Sequence, residues 1–475
     1  MTVTATMTSP HKTPMPGTEP VSARDPGSAL AADWFTGGFM QVFVRAYQDS
    51  NGDGLGDLRG LTARLDELQD LGVTGLWLMP IHPSSDGDHG YAVTDYRGVD
   101  PAYGTLADVD ELLRQAHARG IGVILDYVIN HSSRQHPLFL AAAADRASPY
   151  RRWFRFEDAK PEGWSIYEHD PWRPAPGGGW YFGAFGAGMP DFDWRCPEVE
   201  AWHHDNLRFW LNRGVDGFRF DAVGHLVENG PDAWDCQPQN YPIMGRIRAL
   251  LDGYARRFMV NEAPRDPAGF TRAAGSAFAF DLNGLLIDAA RGRPGAMAEV
   301  AAYHAAAPGG LATFLSNHDS FAGARVFDQL GGELARCKVA AALLLTLPGV
   351  PFVYYGEEIG MAGHPELAPD PALRTPMSWD ADGCGFSTAP RPFRAAAPNR
   401  CTHNVAAQRG DPDSLRSFYR WLLQLRRAHP ALRHGVLEAV ETGPQHLAFT
   451  RRQGGDALRV VIDAGRVPGV TVTDC

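Results

Sequence analysis

The stretch that decides the fold is LADVDELLRQAHARGIGVILDYVINH, residues 106–131. Residues 106–120 have the pattern of a helix, and residues 121–131 form an apolar run with a polar end, which is typical of a buried strand. A helix followed at once by such a strand predicts one half of a parallel βαβ unit. The rest of the chain can be read outward from this unit.

The same alternation of strand and helix recurs on both sides of this stretch. Upstream, GGFMQVFVRAY (37–47) is strand-like, and LRGLTARLDELQDLG (58–72) carries leucines at helical spacing before the apolar GLWLMP (75–80). Eight strands are predicted, near residues 40, 76, 124, 218, 260, 279, 314 and 353. Eight such units predict an α/β fold of the closed (β/α)₈ TIM-barrel type.

The alternation of strand and helix is interrupted in three places, and these interruptions define the predicted domains. Residues 132–190 are dense in Pro, Gly, Trp and Tyr and predict an inserted loop-rich domain B after the third strand. Residues 431–475 predict a short C-terminal β region, and residues 1–33 a disordered leader without apolar periodicity. The barrel itself is predicted over 34–131 and 191–430.

Composition and charge exclude several classes of function. The chain has 44 Lys plus Arg against 55 Asp plus Glu, a net charge of −11, and no basic run, so nucleic-acid and anionic-membrane partners are not expected. Its most apolar stretch, residues 339–355, is interrupted by Pro348 and Pro351 and is shorter than a bilayer span. Six scattered cysteines and an N-terminus unlike a signal peptide predict a cytoplasmic protein with free thiols.

Acidic and histidine side chains follow several predicted strands at the point where each ends. They lie in DYVINH (126–131), GFRFDAVGH (217–225), VNEA (260–263) and FLSNHD (314–319). One acid at a strand end is usually a cap or turn residue. Several on four strand ends of one barrel are not needed for packing, and they would project into the same bowl. These residues are therefore candidates for hydrolytic chemistry.

These four segments, in this order, resemble the signature regions of the α-amylase superfamily, glycoside hydrolase family 13. The resemblance runs from about residue 37 to 430, and MPDFDW (189–194) is similar to a fifth region in its neopullulanase-like, intermediate form. RTPMSW (374–379) and PGVPFVYYGEEIGM (348–361) resemble oligosaccharide α-glucosidases. The resemblance implies an enzyme that cleaves α-glucosidic bonds.

The resemblance also implies a retaining double displacement and assigns its residues. Asp221 would be the nucleophile, Glu262 the acid and then the base, and Asp319 the third carboxylate, which grips the hydroxyls of the reacting glucose. The two reacting carboxyls of such enzymes stand about 5 to 5.5 Å apart. Arg219 would keep Asp221 ionised, whereas Glu262 needs a raised pKa.

Further residues are implied as contacts to the sugar. His131 and His318 would donate hydrogen bonds to it, Tyr91 would stack beneath it, and Asp88 of the DHGY turn would bind the non-reducing end. The alternative for Tyr91 and Asp88 is a rim aromatic and an ordinary turn residue. The alternative for the two histidines is a satisfied place in the core.

The loop DSNGDGLGD, residues 49–57, has the spacing of a cation-binding loop. The side chains of Asp49, Asn51, Asp53 and Asp57, with the carbonyl of Leu55, predict one structural Ca²⁺ or Mg²⁺ ion and no organic cofactor. Position 12 of the loop is Gly60 rather than Glu, so it is not an EF-hand, and a turn rich in Asp and Asn is the alternative. Asn130 is a second candidate metal ligand or only a loop anchor.

Three functions remain open on this basis. The first is an α-1,4-glucosidase on short maltooligosaccharides, since the resemblance associates Ala222 with α-1,4 preference and Gly224 with short substrates. The second is a transglycosylase such as a glucosyltransferase, an amylosucrase-like or a trehalose-synthase-like enzyme, which shares every catalytic residue. The third is a non-catalytic sugar-binding barrel. Oligomeric state is not predicted.

Overall fold

The structure, a computed structural model, describes residues 15, 17–87, 89–382 and 385–475. Its strands are β1 (Phe39–Val42), β2 (Gly75–Leu78), β3 (Gly122–Val128), β4 (Phe156–Glu157), β5 (Trp172–Pro174), β6 (Trp180–Phe182), β7 (Gly217–Asp221), β8 (Phe258–Asn261), β9 (Ala312–Phe314), β10 (Val350–Tyr354), β11 (Val436–Thr442), β12 (His446–Gln453), β13 (Asp456–Asp463) and β14 (Gly469–Asp474).

The helices surround and connect these strands. They are α1 (Val44–Tyr47), α2 (Leu58–Ala63), α3 (Leu65–Leu71), α4 (Leu106–Ala118), α5 (Pro137–Ala144), α6 (Pro197–Asn212), α7 (Asn240–Asp252), α8 (Pro267–Ala274), α9 (Phe280–Ala290), α10 (Ala296–Ala306), α11 (Val326–Gln329), α12 (Leu334–Thr346), α13 (Pro369–Leu373), α14 (Val405–Gln408), α15 (Leu415–Ala428) and α16 (Pro430–His434).

Seven parallel strands form the central sheet, in the order β8-β7-β3-β2-β1-β10-β9. Single bridges join Ala277 to Asn261 of β8 and Phe278 to Ala312 of β9, so the sheet is nearly closed. The strand predicted near residue 279 is therefore reduced to these two bridges. Only four residues separate Gly275, which has a φ of +94°, from the first residue of α9, so a longer strand cannot form there. The predicted TIM-barrel architecture is confirmed.

The stretch that predicts the fold forms α4 and β3. Thr105 and Asp108 make a reciprocal capping box at the start of α4, which satisfies backbone N–H groups that have no partner within the helix. The helix buries Val109 and Leu112 against the barrel. Every residue of β3 is buried, as expected for a strand covered on both faces.

Residues 132–190 leave the barrel between β3 and α6. They form α5 and a three-stranded antiparallel sheet in the order β4-β6-β5. Ile166, Trp172, Phe182 and Ala184 make a small apolar core of their own. This lobe lies beside the carboxyl ends of the barrel strands. The N–H of Phe192 donates to the carbonyl oxygen of Asn130, which follows β3, and the N–H of Ser132 donates to the carbonyl oxygen of Pro190.

The end of the chain forms a four-stranded antiparallel sheet, β11-β12-β13-β14. Leu447, Phe449, Val460 and Ile462 alternate toward one face and join the main apolar core. The boundaries predicted between the domains stay predictions, since the structure gives one continuous core through barrel and C-terminal sheet.

The segment before the barrel is the one predicted as a disordered leader. The carbonyl oxygens of Gly17 and Gly27 accept hydrogen bonds from Trp202 Nε1 and Arg257 Nη2, and Leu30 is buried. These partners lie on the barrel, far away in sequence, so composition alone does not reveal them. Part of residues 17–33 thus contacts the barrel, residues 1–14 and 16 lie outside the described residues, and the leader stays a prediction.

Candidate active site

The predicted acids meet at the carboxyl ends of the barrel strands. Asp126 of β3 pairs in register with Arg219 of β7, which puts both side chains into the same layer of the barrel. Asp221 ends β7, and Glu262 directly follows β8. Asp319 lies beyond β9, and with Asp221 and Glu262 it lines one pocket of about 550 Å³. A pocket of this size can hold a small ligand.

The guanidinium group of Arg219 holds three of these carboxyls. Its Nη1 donates to Asp221 Oδ1 at 2.7 Å and to Asp126 Oδ1 at 2.8 Å. Its Nη2 lies 2.9 Å from Glu262 Oε1. Because the guanidinium is buried, planar and always charged, it fixes the directions of Asp221 and Glu262 relative to each other.

The pKa values of the two carboxyls are raised by unequal environments. Burial, partly opposed by Arg219, raises the pKa of Asp221 to about 6. Burial raises the pKa of Glu262 to about 7, and the negative charge of Asp221 adds to the rise. Near neutral pH Glu262 therefore holds its proton more strongly than Asp221, as a general acid beside a nucleophile requires.

The residue after Asp221 has an unusual backbone. Ala222 has a φ of +50°, in the left-handed region that an L-residue enters at a cost. In this conformation its N–H donates to Glu262 Oε2 at 3.1 Å. The strained turn thus ties the segment of Asp221 to the carboxyl of Glu262.

Asp319 is held from the opposite side of the pocket. Arg374 Nη2 lies 3.0 Å from Asp319 Oδ1, and its Nε donates to the carbonyl oxygen of His318. Arg374 also lies 3.3 Å from Asp370, which accepts hydrogen bonds from Ser320. Arg374 and Asp370 line this end of the pocket.

His318 and Tyr91 belong to one hydrogen-bond network. Tyr91 Oη donates to Asp126 Oδ2 at 2.9 Å and lies 2.7 Å from His318 Nε2. Gln41 Nε2 lies 2.8 Å from His318 Nδ1, and since the amide can only donate there, the imidazole proton is assigned to Nε2. Burial and the neighbouring Arg374 lower the pKa of His318, so the ring is neutral.

His131 and Asp88 complete the predicted sugar contacts. His131 lines the pocket, and its two ring nitrogens are buried without a hydrogen-bond partner among the described residues. Burial lowers its pKa to about 3, so the ring is neutral. Asp88 lies outside the described residues, and its predicted role is not addressed by the structure.

Aromatic side chains form one wall of the pocket mouth. Tyr167 Oη lies 3.0 Å from His225 Nε2, and the His225 ring stacks on Trp234 with centroids 5.4 Å apart. Phe185 contacts both Tyr167 and His225. On the other side of the mouth, the side chain of Phe321 is 63% exposed. The opening is therefore suited to a flat, partly apolar group.

Sequence reasoning missed several residues of this site. Arg374 is the first residue of RTPMSW, a quoted motif that gave it no role, whereas Asp126 of DYVINH was a strand-end candidate for hydrolytic chemistry without an assigned step. Gln41 and Trp77 carried no signal, because a single polar or aromatic residue inside a buried strand looks like ordinary core. Trp77 Nε1 donates to Asp126 Oδ2 at 3.2 Å.

The loop predicted to bind a cation folds on its own polar groups. Asp49 Oδ1 accepts from the N–H groups of Asn51 and Gly52, Asp53 accepts from Leu55 N, and Asp57 accepts from Gly60 N. Among the described residues no group of three or more His, Cys, Asp or Glu side chains is placed to hold a metal ion. The alternating amide, carboxylate and carbonyl oxygens fit a hard cation by type, and the ion stays a prediction.

Asn130 supports the inserted lobe. Its Nδ2 donates to Asp191 Oδ2 at 3.0 Å, and its Oδ1 is buried without a partner among the residues described. Burial raises the pKa of Asp191 well above its usual range, with a further rise from the neighbouring Glu228. Asn130 thus anchors the loop, and its role as a metal ligand stays a prediction.

Comparison with known proteins gives the family. The sequence model "Alpha amylase, catalytic domain" matches residues 41–435. The chain belongs to the alpha-amylase family. As a member of this family, glycoside hydrolase family 13, it is an enzyme that acts on α-glucosidic bonds, so the non-catalytic alternative is not supported.

Individual members of the alpha-amylase family resemble the chain over nearly its whole length. Alpha-amylase 3 of Dictyoglomus thermophilum is 33% identical, over 90% of this chain and 85% of its own. The trehalose synthase/amylase TreS of Mycobacterium tuberculosis strain H37Rv is also 33% identical, over 91% and 82%. The solved structure of the alpha-glucosyl transfer enzyme XgtA superimposes with a TM-score of 0.81 at 30% identity, over 91% of each chain.

These names include an amylase, a trehalose synthase/amylase and an alpha-glucosyl transfer enzyme. They therefore show the class of bond and leave the specific reaction open. Within the part of the chain that the structure describes, no helix has the length and apolar character needed to cross a bilayer.

Proposed function

We propose that this protein is an α-1,4-glucosidase that hydrolyses short maltooligosaccharides with retention of configuration. The observation that supports it is the placement of Asp221 and Glu262 on the two terminal nitrogens of one buried guanidinium, at the bottom of the same pocket. One carboxylate and one carboxylic acid in such an arrangement can act on the two sides of a glycosidic bond.

In the first half of the proposed reaction, Asp221 attacks the anomeric carbon. A bond forms between a carboxylate oxygen and that carbon, the bond to the glycosidic oxygen breaks, and the proton of Glu262 goes to the leaving oxygen. In the second half, a water adds to the anomeric carbon, its proton goes to Glu262, and Asp221 leaves as a carboxylate. Both residues then regain their starting states.

The other residues would orient the glucose. His131 offers unpartnered ring nitrogens, and Asp319, steered by Arg374, offers a carboxylate to hydroxyl groups. Arg374 and Asp370 line the far end of the pocket, which favours a donor that ends at the reacting glucose. Short substrates attacked at one end agree with this geometry.

Transglycosylation is the second candidate, and it shares both half-reactions except for the acceptor. It is favoured by the aromatic wall of Tyr167, Phe185 and His225 at the pocket mouth, where a sugar ring could stack in place of water. The two candidates differ only in which hydroxyl group attacks the glycosyl enzyme.

Product analysis separates the candidates. The enzyme is incubated with maltose, maltotriose, isomaltose, trehalose, sucrose or soluble starch, and products are followed by chromatography. Glucose released from maltose and maltotriose, faster than from the other donors, is expected. Products longer than the donor, with little free glucose, would refute hydrolysis as the main reaction and leave transglycosylation. No turnover of any donor would contradict both.

We further propose that the loop of residues 49–57 holds one Ca²⁺ or Mg²⁺ ion with a structural role, supported by its alternating oxygen-bearing residues. The ion would brace the loop after β1 and take no part in the reaction. We also propose a cytoplasmic location, which the scattered cysteines of the sequence support.

A further inference from the structure

A second cavity of about 580 Å³ lies at the opposite end of the barrel from the candidate active site. It is bordered by the residues that begin β9 and β10, by the end of α10, and by the segment that enters the C-terminal sheet. Thr313 and Val350 contribute from the barrel, and Val436 and Arg451 from the C-terminal sheet. The cavity is within the size range of small-molecule sites.

The charge of its lining is one-sided. Arg433 and Arg451 are the charged side chains that line the cavity, beside the imidazoles of His304 and His434, and its described lining includes no Asp or Glu. This contrasts with the whole chain, in which acids outnumber Lys and Arg by 55 to 44. A concave surface lined by one sign of charge concentrates ligands of the opposite sign.

Arg451 is the most unusual member of this lining. It is only 1% exposed, and its Nη1 and Nη2 donate to the carbonyl oxygens of Thr346 and Gly435 at 2.6 and 2.8 Å. No carboxylate among the described residues forms an ion pair with it. A second buried guanidinium, that of Arg426, lies behind it and bonds to carbonyl oxygens of Thr36 and Leu345.

Two buried cations without a carboxylate are costly. Carbonyl dipoles satisfy their N–H groups but leave the net charge uncompensated. Burial and the positive charge of Arg451 lower the pKa of the neighbouring His304 imidazole to about 4. Asp33 pairs with Arg433 and His434, so it does not neutralise Arg451. A bound anion would supply the missing charge.

Polar atoms without partners also border the cavity. Thr313 Oγ1, His304 Nε2 and Arg433 Nε are buried and make no hydrogen bond within the described part of the chain. Thr313 is only 4% exposed. A hydroxyl, an imidazole and a guanidinium can all donate to the same oxyanion. The other wall is apolar, with Phe35 and Leu282 among its residues.

We propose that this cavity binds a small organic anion, whose carboxylate or phosphate group is held beside Arg433, Arg451 and Thr313 and whose body packs on the apolar wall. Guanidinium groups bind both kinds of oxyanion with strong, charge-assisted hydrogen bonds. The site is separate from the candidate active site and requires no part of the proposed reaction.

Isothermal titration calorimetry with three probes that share one ring tests the proposal. Benzoate carries a carboxylate, phenyl phosphate carries a phosphate, and benzyl alcohol carries no charge; sodium chloride keeps the ionic strength constant. We expect saturable binding of at least one anion and none of the alcohol. Preference for benzoate or for phenyl phosphate identifies the oxyanion. Absence of binding by both anions would overturn the proposal.

Variants locate the binding. Arg433→Gln and Thr313→Val each remove a donor and are expected to weaken anion binding about tenfold or more, the usual effect of losing a charge-assisted hydrogen bond. Arg146→Gln removes an exposed arginine that pairs with Asp158 outside the cavity and should leave binding unchanged. Equal binding to wild type and to both cavity variants, folded by circular dichroism, would overturn the assignment to this cavity.

Discussion

The charge of Asp126 should set the pH at which the enzyme gains activity. This carboxylate accepts hydrogen bonds from Arg219, Tyr91 and Trp77. Burial raises its pKa to about 6, partly opposed by Arg219 and Tyr91, so Asp126 is ionised at neutral pH. Burial raises the pKa of Asp221, Arg219 partly opposes that rise, and the negative charge of Asp126 adds to it. Replacing Asp126→Asn removes this negative charge at nearly constant volume.

The size of the effect follows from the geometry. The Oδ1 atoms of Asp126 and Asp221 lie 2.8 and 2.7 Å from the same atom, Arg219 Nη1. They are therefore at most about 5.5 Å apart, and at an effective dielectric constant of about 20 two unit charges at that distance repel by about 3 kcal/mol. This corresponds to about two pKa units. We expect the pKa of Asp221 to fall by one to about two units.

The sign of the change in activity is fixed by the role of Asp221. A nucleophile must be ionised, so a lower pKa moves the acid limb of the kcat/KM profile to lower pH. The basic limb reports the protonated form of Glu262, whose pKa is about 7. It should move less, because Glu262 contacts Arg219 through Nη2, on the other side of the guanidinium from Asp126.

The assay is the pH dependence of kcat/KM for a chromogenic α-glucoside, from about pH 3 to pH 9, for wild type and variant. Asp216→Asn is the matched control, since Asp216 is a buried carboxyl that directly precedes β7, at the other end of this strand from Asp221, and it is paired with Arg257 and His117. The Asp216→Asn enzyme should be less stable than wild type, but the acid and basic limbs of its kcat/KM profile should stay at the same pH. A folded Asp126→Asn enzyme with an unmoved acid limb would refute the electrostatic argument.

Three further changes have defined outcomes. Asp221→Asn should lower kcat by about 10⁴-fold or more at unchanged Tm, and residual activity near wild type would refute its role as nucleophile. Arg374→Ala removes the ion pair that steers Asp319 and should lower kcat/KM by about 10- to 100-fold, whereas unchanged steady-state kinetics would contradict that role. Chelation by EDTA should lower Tm by several degrees, and adding Ca²⁺ should restore it. The variant Asp49→Asn should show neither change. Equal melting curves with and without chelator would refute the bound cation.

The barrel and its acids could be predicted because their signals are local. A buried strand is a continuous apolar run, and the polar residue that ends it, such as Asp221, must lie where the strand leaves the core. The order of the strands then brings these ends together without any further information. The family resemblance added the chemical roles, and the structure places Asp221 and Glu262 on one guanidinium.

The rest of the site depends on contacts between distant parts of the chain. Arg374 reaches Asp319 across 55 positions, along a loop whose path no periodicity describes. Neighbouring elements, rather than the local sequence, also determine the short strand at Phe278 and the packing of residues 17–33 on the barrel. Such contacts override the composition of the segments that make them.

The balance of charge in the pocket explains why two similar carboxyls can take different roles. The site gathers four carboxyl groups and two guanidinium groups: Asp126, Asp221, Glu262, Asp319, Arg219 and Arg374. If all were ionised, the pocket would carry two uncompensated negative charges away from water, so retaining one proton lowers the energy. Burial raises the pKa values of Glu262 and Asp319 to about 7 and those of Asp221 and Asp126 to about 6, so Glu262 and Asp319 hold a proton at a pH where Asp221 has lost its own. A sugar that displaces the remaining water would strengthen this preference, because two bare neighbouring charges become more costly as the dielectric constant falls.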